Sequence, residues 1–179
     1  MSTTTEPYLR RLAYLHEAGH AVVALELNLQ VIELLSDGDI GHCHPDFQAE
    51  ADAALEQAAV VNSDGNRASV QTFQGVVDAY FPRLACTMGG IAGESLELGR
   101  PVYSARRPSN GFGNFFGYVA AMSRHLKPVQ YMPIWNDAYQ CAQDVAWEIV
   151  RKCARDVKNI ADALEHSSPL TNAALLELI

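Results

Sequence analysis

The residues best placed to do chemistry lie in one run, His16-Glu17-Ala18-Gly19-His20, set between Leu15 and Ala21-Val22-Val23-Ala24. A His-Glu-x-x-His spacing on a helix stacks its two imidazoles on one face, because positions i and i+4 lie above one another. His16 and His20 can then aim two nitrogens at one zinc ion, and Glu17, one residue further round, is free to act as general base toward a water activated by that ion. Leu9, Leu12, Ala13, Val23, Ala24 and Leu27 surround the motif, so the helix should be largely buried, where ionisable side chains need partners. A metal would supply one. Gly19 strengthens the reading, since a glycine inside a buried helix costs about 1 kcal/mol relative to alanine and marks close approach of a backbone or ligand.

The remaining composition narrows the class. A chain of 179 residues with 49% hydrophobic and 19% charged side chains can bury a core of one domain. We read it as a single unit, 1–179, with a metal-site core over 1–134 and a helical part over 135–179. No apolar run reaches the roughly 18 residues of a membrane span. Met1-Ser2-Thr3-Thr4-Thr5-Glu6 has neither the basic nor the apolar region of a signal peptide, which leads us to expect a cytoplasmic protein. Thirteen basic against twenty-one acidic residues give a formal charge of −8, which disfavours nucleic acid and anionic membranes as partners. Cys43, Cys86, Cys141 and Cys153 form no CxxC pair and read as free thiols, with Cys86, Cys141 and Cys153 in the core.

The elements that must position the motif follow from periodicity, and they give a mainly α-helical fold with one short β-hairpin. A first helix is expected over 7–27, opened by Pro7 in its first turn. Val31-Ile32-Glu33-Leu34-Leu35 reads as a strand, Ser36-Asp37-Gly38 as a tight turn, and 39–44 as a returning strand ended by Pro45. On that strand His42 and His44 share one face and Cys43 the other. Helix is expected over 47–61, a polar loop over 62–66, and helix again from about Ser69, where Val70, Phe73, Val76, Val77, Tyr80 and Phe81 keep a period near 3.6. Pro82 should kink that helix or start another. The run 84–99, small along one side and closed by Gly99, reads as a helix able to pack closely on the first. A long surface loop is expected over 100–113, a shorter helix over 114–125, and a connection bracketed by Pro128 and Pro133. One long helix or two stacked ones should fill 135–166, and Thr171 should cap a last helix ending at Ile179.

The order of these features resembles the peptidase domain of the FtsH family, the AAA zinc proteases, a zincin-like helical fold. The resemblance rests on His16-Glu17-Ala18-Gly19-His20-Ala21 and the hairpin after it. It rests also on Gly89-Gly90-Ile91-Ala92-Gly93-Glu94-Ser95-Leu96-Glu97-Leu98-Gly99, which is similar to that family's glycine-glycine-x-alanine-glutamate-glutamate helix. A weaker likeness lies in the tail, Val157-Lys158-Asn159-Ile160-Ala161-Asp162-Ala163-Leu164-Glu165 with Pro169-Leu170-Thr171. It implies a zinc-dependent endopeptidase acting on peptides or unfolded protein segments, with the peptide added to the hairpin edge. We expect neither an ATPase module nor a membrane anchor, so substrate should arrive already flexible, and a homo-oligomer is possible.

In the family an aspartate in a Gly/Thr/Ser/Asn-rich stretch completes the zinc site. The matching stretch, Pro108-Ser109-Asn110-Gly111-Phe112-Gly113-Asn114-Phe115-Phe116, holds none. Glu94, on the helix expected to face the first, is our candidate third ligand; its alternative role is to hydrogen-bond a ligand imidazole. His42, His44, Asn110 and Asn114 are the other candidates. The rival to an active peptidase is a binding or regulatory module that keeps the fold without catalysis.

Overall fold

A computed structural model describes residues 7–47, 70–99 and 128–179. The expected helix over 47–61, the polar loop, the loop over 100–113 and the helix over 114–125 lie outside them, apart from Phe47 and Gly99 at their ends. The protein is mainly helical with one small antiparallel sheet. Among the described residues its elements are α1 (Pro7–Glu26), β1 (Val31–Ser36), β2 (Gly41–Pro45), α2 (Val70–Leu98), α3 (Pro128–Lys152), α4 (Ala154–His166), β3 (Leu170–Thr171) and α5 (Asn172–Leu176). Contacts gather these into two compact units. One comprises Met1–Asp46, Ala85–Ala105 and Gln143–Ile179, the other Phe47–Leu84 and Arg106–Ala142. All the described candidate residues belong to the first.

In that unit α1 is the central element. Tyr14, Leu15, Ala18, Gly19 and Ala21 to Ala24 are buried, so from its third turn onward nearly the whole circumference is covered. Its first turns are open, with Leu9 half exposed. The helix ends where Asn28 adopts a left-handed conformation (φ 60°), the Leu29 N–H reaches the Ala24 carbonyl and the Asn28 N–H reaches that of Leu25. This is a Schellman closure with asparagine in the place usually taken by glycine, and it turns the chain straight into β1.

The hairpin forms as the sequence predicts. Asp37 Oδ1 accepts the N–H groups of Asp39 and Ile40 at 2.8 Å each, Gly38 takes φ 88°, and Ser36 pairs with Gly41. Glycine is required there twice over. Its φ is positive, and a β-carbon at 38 would stand 3.0 Å from Arg10 Cγ and from Tyr14 Oη. A third strand escaped the sequence reading. Leu170 and Thr171 pair with Leu34 and Glu33, giving the order β2-β1-β3. Two residues are too few for any period-2 signal. The same segment ties down β1 through side chains, Asn172 Oδ1 accepting the Val31 N–H at 3.0 Å and Ser168 Oγ accepting that of Ser36 at 3.1 Å.

Helix α4 lies along α1, burying Val157, Ile160, Ala161 and Leu164 at i, i+3, i+4 and i+7, with Arg11 paired to Asp162 at 2.6 Å. It is separate from α3, the break falling at Cys153. Thr171 caps α5 as expected, its hydroxyl accepting the Ala174 N–H, but that helix stops at Leu176. Two other expectations are corrected. Pro128 and Pro133 do not bracket a connection: Pro128 opens α3, and Pro133 lies inside the helix five residues later, where one missing N–H is tolerated. Cys141 is exposed rather than in the core. Pro82 likewise sits within an unbroken α2, closed at Gly99 with φ 63°. In the second unit α2 buries Phe73, Val76, Val77 and Tyr80, and Arg83 stacks its guanidinium 5.0 Å over the Phe47 ring.

Candidate metal centre

The two histidines stand on α1 one turn apart, ring centroids 4.7 Å from each other and planes at 84°. What brings them into register with α2 is an exchange of glycines. A β-carbon on Gly19 would be driven into the Gly89 carbonyl, one on Gly93 into the Leu15 carbonyl, and one on Gly89 would lie 2.6 Å from the Gly19 carbonyl oxygen. Only three residues without side chains let these backbones approach so closely. The small side of 84–99 therefore does face the first helix.

That approach places α2 within hydrogen-bonding reach of both rings. His16 Nδ1 lies 2.7 Å from Glu94 Oε1, and His20 Nδ1 lies 2.7 Å from the Cys86 carbonyl oxygen. A carbonyl can only accept, so Nδ1 of His20 carries the proton there. The Gly90 N–H also approaches that nitrogen, at 3.2 Å, but the shorter contact decides the tautomer. With Nδ1 donating, Nε2 of each ring has its lone pair whenever that ring is neutral. Both Nε2 atoms lie 2.5 Å from the point where a β-carbon of Gly90 would sit. The space left by that absent side chain is thus shared by the two imidazoles.

Electrostatics agree with a neutral His20 ring. Burial pushes His20 down to about 3, with the His16 charge adding to the effect and the Cys86 hydrogen bond opposing it. Glu17 is 7% exposed, and burial lifts its carboxyl to about 7 against the opposing charge of His16. A β-carbon on Gly41 would stand 2.5 Å from Glu17 Oε1, so the first residue of β2 forms the wall against which this carboxyl rests.

The structure brings His16, His20 and Glu94 together, while Glu17, next to His16 on α1, rests its carboxyl against Gly41 of β2. Glu94 arrives as the partner of His16 Nδ1, which is the second of the two roles its position suggests. His42 and His44 are exposed on one face of β2, with half-buried Cys43 on the other. Asn110 and Asn114 lie outside the described residues. Among the described residues no group of three His, Cys, Asp or Glu converges as a metal-holding set.

Two imidazoles, each with its remaining ring nitrogen paired to a carboxylate or a carbonyl, would supply two of the three protein ligands that a catalytic zinc takes, and among the described residues no third joins them. Sequence reasoning missed two contributors. The Cys86 carbonyl carries no signal in residue type, since every residue has one. Gly90 had a signal, the Gly89-Gly90 pair, which periodicity reads only as close packing. No family model matches the chain, and no curated protein matches it in sequence.

Proposed function

We propose that this protein is a zinc-dependent peptidase similar to the peptidase domain of the FtsH family, with His16 and His20 holding the ion through Nε2. The observation that carries this reading is the pair of imidazoles packed on Gly90, both Nε2 atoms 2.5 Å from where its β-carbon would stand and both Nδ1 atoms engaged by α2. When bound there, zinc supplies Lewis acidity, polarising a scissile carbonyl and bringing the acidity of water into the neutral range. Glu17 would take the proton of the attacking water and return it to the leaving amine. Glu94 and the Cys86 carbonyl fix the tautomers and aim the rings.

The hydrogen bond to His16 supports Glu94 as an orienting residue rather than a ligand. The third ligand then comes from elsewhere, His42, His44, Asn110 and Asn114 being the candidates. Substrate is a peptide or unfolded segment, and the setting is a reducing cytoplasm, in keeping with four free thiols. Among the described residues no helix is long and apolar enough to cross a membrane.

The deciding measurement is elemental analysis of untagged protein followed by cleavage assays on unfolded protein and peptide libraries. Near one zinc per chain, lost in His20→Ala, with turnover abolished in Glu17→Gln while zinc is kept, is the expected result. Undiminished cleavage by Glu17→Gln overturns the assignment. Stoichiometric zinc without turnover on any substrate establishes the second reading, a binding module. The commitment of Glu94 to His16 favours that reading to the extent that it takes a carboxylate away from the metal.

A further inference from the structure

The hairpin lies along one stripe of α1. Arg10, Tyr14 and Glu17 stand at i, i+4 and i+7, hence on one side of the helix, and both glycines of the hairpin press on them. A β-carbon on Gly38 would stand 3.0 Å from Arg10 Cγ and from Tyr14 Oη, and one on Gly41 would meet Glu17. The two glycines differ in kind. Gly38 has a positive φ of 88°, so the turn itself requires it. Gly41 has no positive φ and sits in the ladder opposite Ser36, where the backbone admits any residue with an N–H.

What a side chain at 41 would collide with is therefore decisive. Beyond its chain neighbours, the three atoms nearest to its β-carbon position are Glu17 Cγ, Glu17 Oε1 at 2.5 Å and Glu17 Cδ at 2.6 Å. All three belong to one side chain, which is 7% exposed. Backbone atoms, which make glycine necessary at 19, 89 and 93, are not among them. A glycine in a strand gives up side-chain packing and loses more conformational freedom on folding than any other residue. At position 41 the beneficiary of that sacrifice is Glu17. We propose that Gly41 is a positioning residue for Glu17, its missing side chain holding open the seat in which the carboxyl stands. The effect on turnover rests on the reading of Glu17 as general base; the seat itself does not.

A double-mutant cycle between Gly41→Ala and Glu17→Ala in the full-length chain, read by the urea midpoint with a chelator present, tests the seat. Gly41→Ala should lower the midpoint of the wild type and leave that of Glu17→Ala unchanged or raised, because the colliding atoms are gone. An equal fall in both backgrounds overturns the proposal, since position 41 would then be packed on something other than Glu17. Should either single variant fail to fold, nuclear Overhauser cross-peaks between Gly41 Hα and Glu17 Hγ in the wild type decide, their presence supporting the seat and their absence overturning it. On a peptide substrate, Gly41→Ala should keep its zinc and its KM and lose about 100-fold in kcat, because a displacement of about 1 Å can cost that much. An unchanged kcat overturns the positioning role, and so does a loss of zinc, which would show that the change acts through the imidazoles. If the wild type turns over no substrate, the peptidase reading fails by itself, and the urea cycle decides whether Gly41 seats Glu17.

Discussion

Glu94 and Cys86 do the same job for two neighbouring rings with different chemistry, and the difference is measurable. A carboxylate on Nδ1 raises the basicity of the imidazole as well as aiming it, whereas a carbonyl only aims. Glu94→Gln should keep a hydrogen bond to His16 but weaken zinc binding about 10–100-fold, read by competition with a chromogenic chelator. Complete loss would instead make Glu94 a ligand.

Buried Glu17 and half-buried His20 also predict how the metal-free protein responds to pH. Glu17 titrates near 7 folded against 4.5 ordinarily, so its contribution is full below 4.5 and is lost as pH rises through 7. His20 titrates near 3 folded against 6.5 ordinarily, so its contribution is present above 6.5 and is lost as pH falls toward 3. The two oppose each other between 4.5 and 6.5, and stability should decline on both sides of that window. Glu17→Gln should remove the alkaline decline, a gain on the order of 3 kcal/mol at pH 8, read by urea denaturation in the presence of a chelator.

Between elements, the crossing of α1 and α2 is held by glycines that serve two separate ends. Gly19, Gly89 and Gly93 face backbone, which cannot rotate away, so Gly93→Ala should cost at least about 2 kcal/mol by overpacking. Gly90 faces the tips of two imidazoles. Gly90→Ala should gain up to about 1 kcal/mol of helix propensity, offset by the ring displacement, and leave the fold intact while its methyl group crowds both Nε2 atoms. Paired thermal melts and zinc content separate the two cases: Gly93→Ala should melt early, and Gly90→Ala should melt near wild type without zinc. Equal zinc content in Gly90→Ala and wild type would show that the ion lies elsewhere.

Across the whole chain, the last residues return to brace the first strand. Asn172 is 141 positions from Val31, yet its amide oxygen holds the N–H of a residue with no exposed surface. Asn172→Ala leaves that donor unpaired and should cost about 1–3 kcal/mol, seen as a lower urea midpoint. Arg11→Ala breaks an ion pair whose side chains are 27% and 63% exposed and should cost under about 1 kcal/mol. The contrast follows from burial alone, since water can replace the lost partner only in the second case.

The sequence by itself determined what is local. Five residues place two imidazoles and a carboxylate on one turn of helix, because that spacing is a property of the helix; the Asp37-Gly38 turn and the alternation of His42, Cys43 and His44 are local in the same sense. It also marked α2 as a close-packing helix through its small residues. It could not say which atoms that packing would deliver. Whether Glu94 meets the metal or His16 depends on an axial offset of a few ångströms between α1 and α2, set by carbonyl groups seated over Gly19, Gly89 and Gly93. The Cys86 carbonyl, the packing of both imidazoles on Gly90 and the strand at Leu170 were likewise decided by long-range contacts, which residue type and periodicity do not encode.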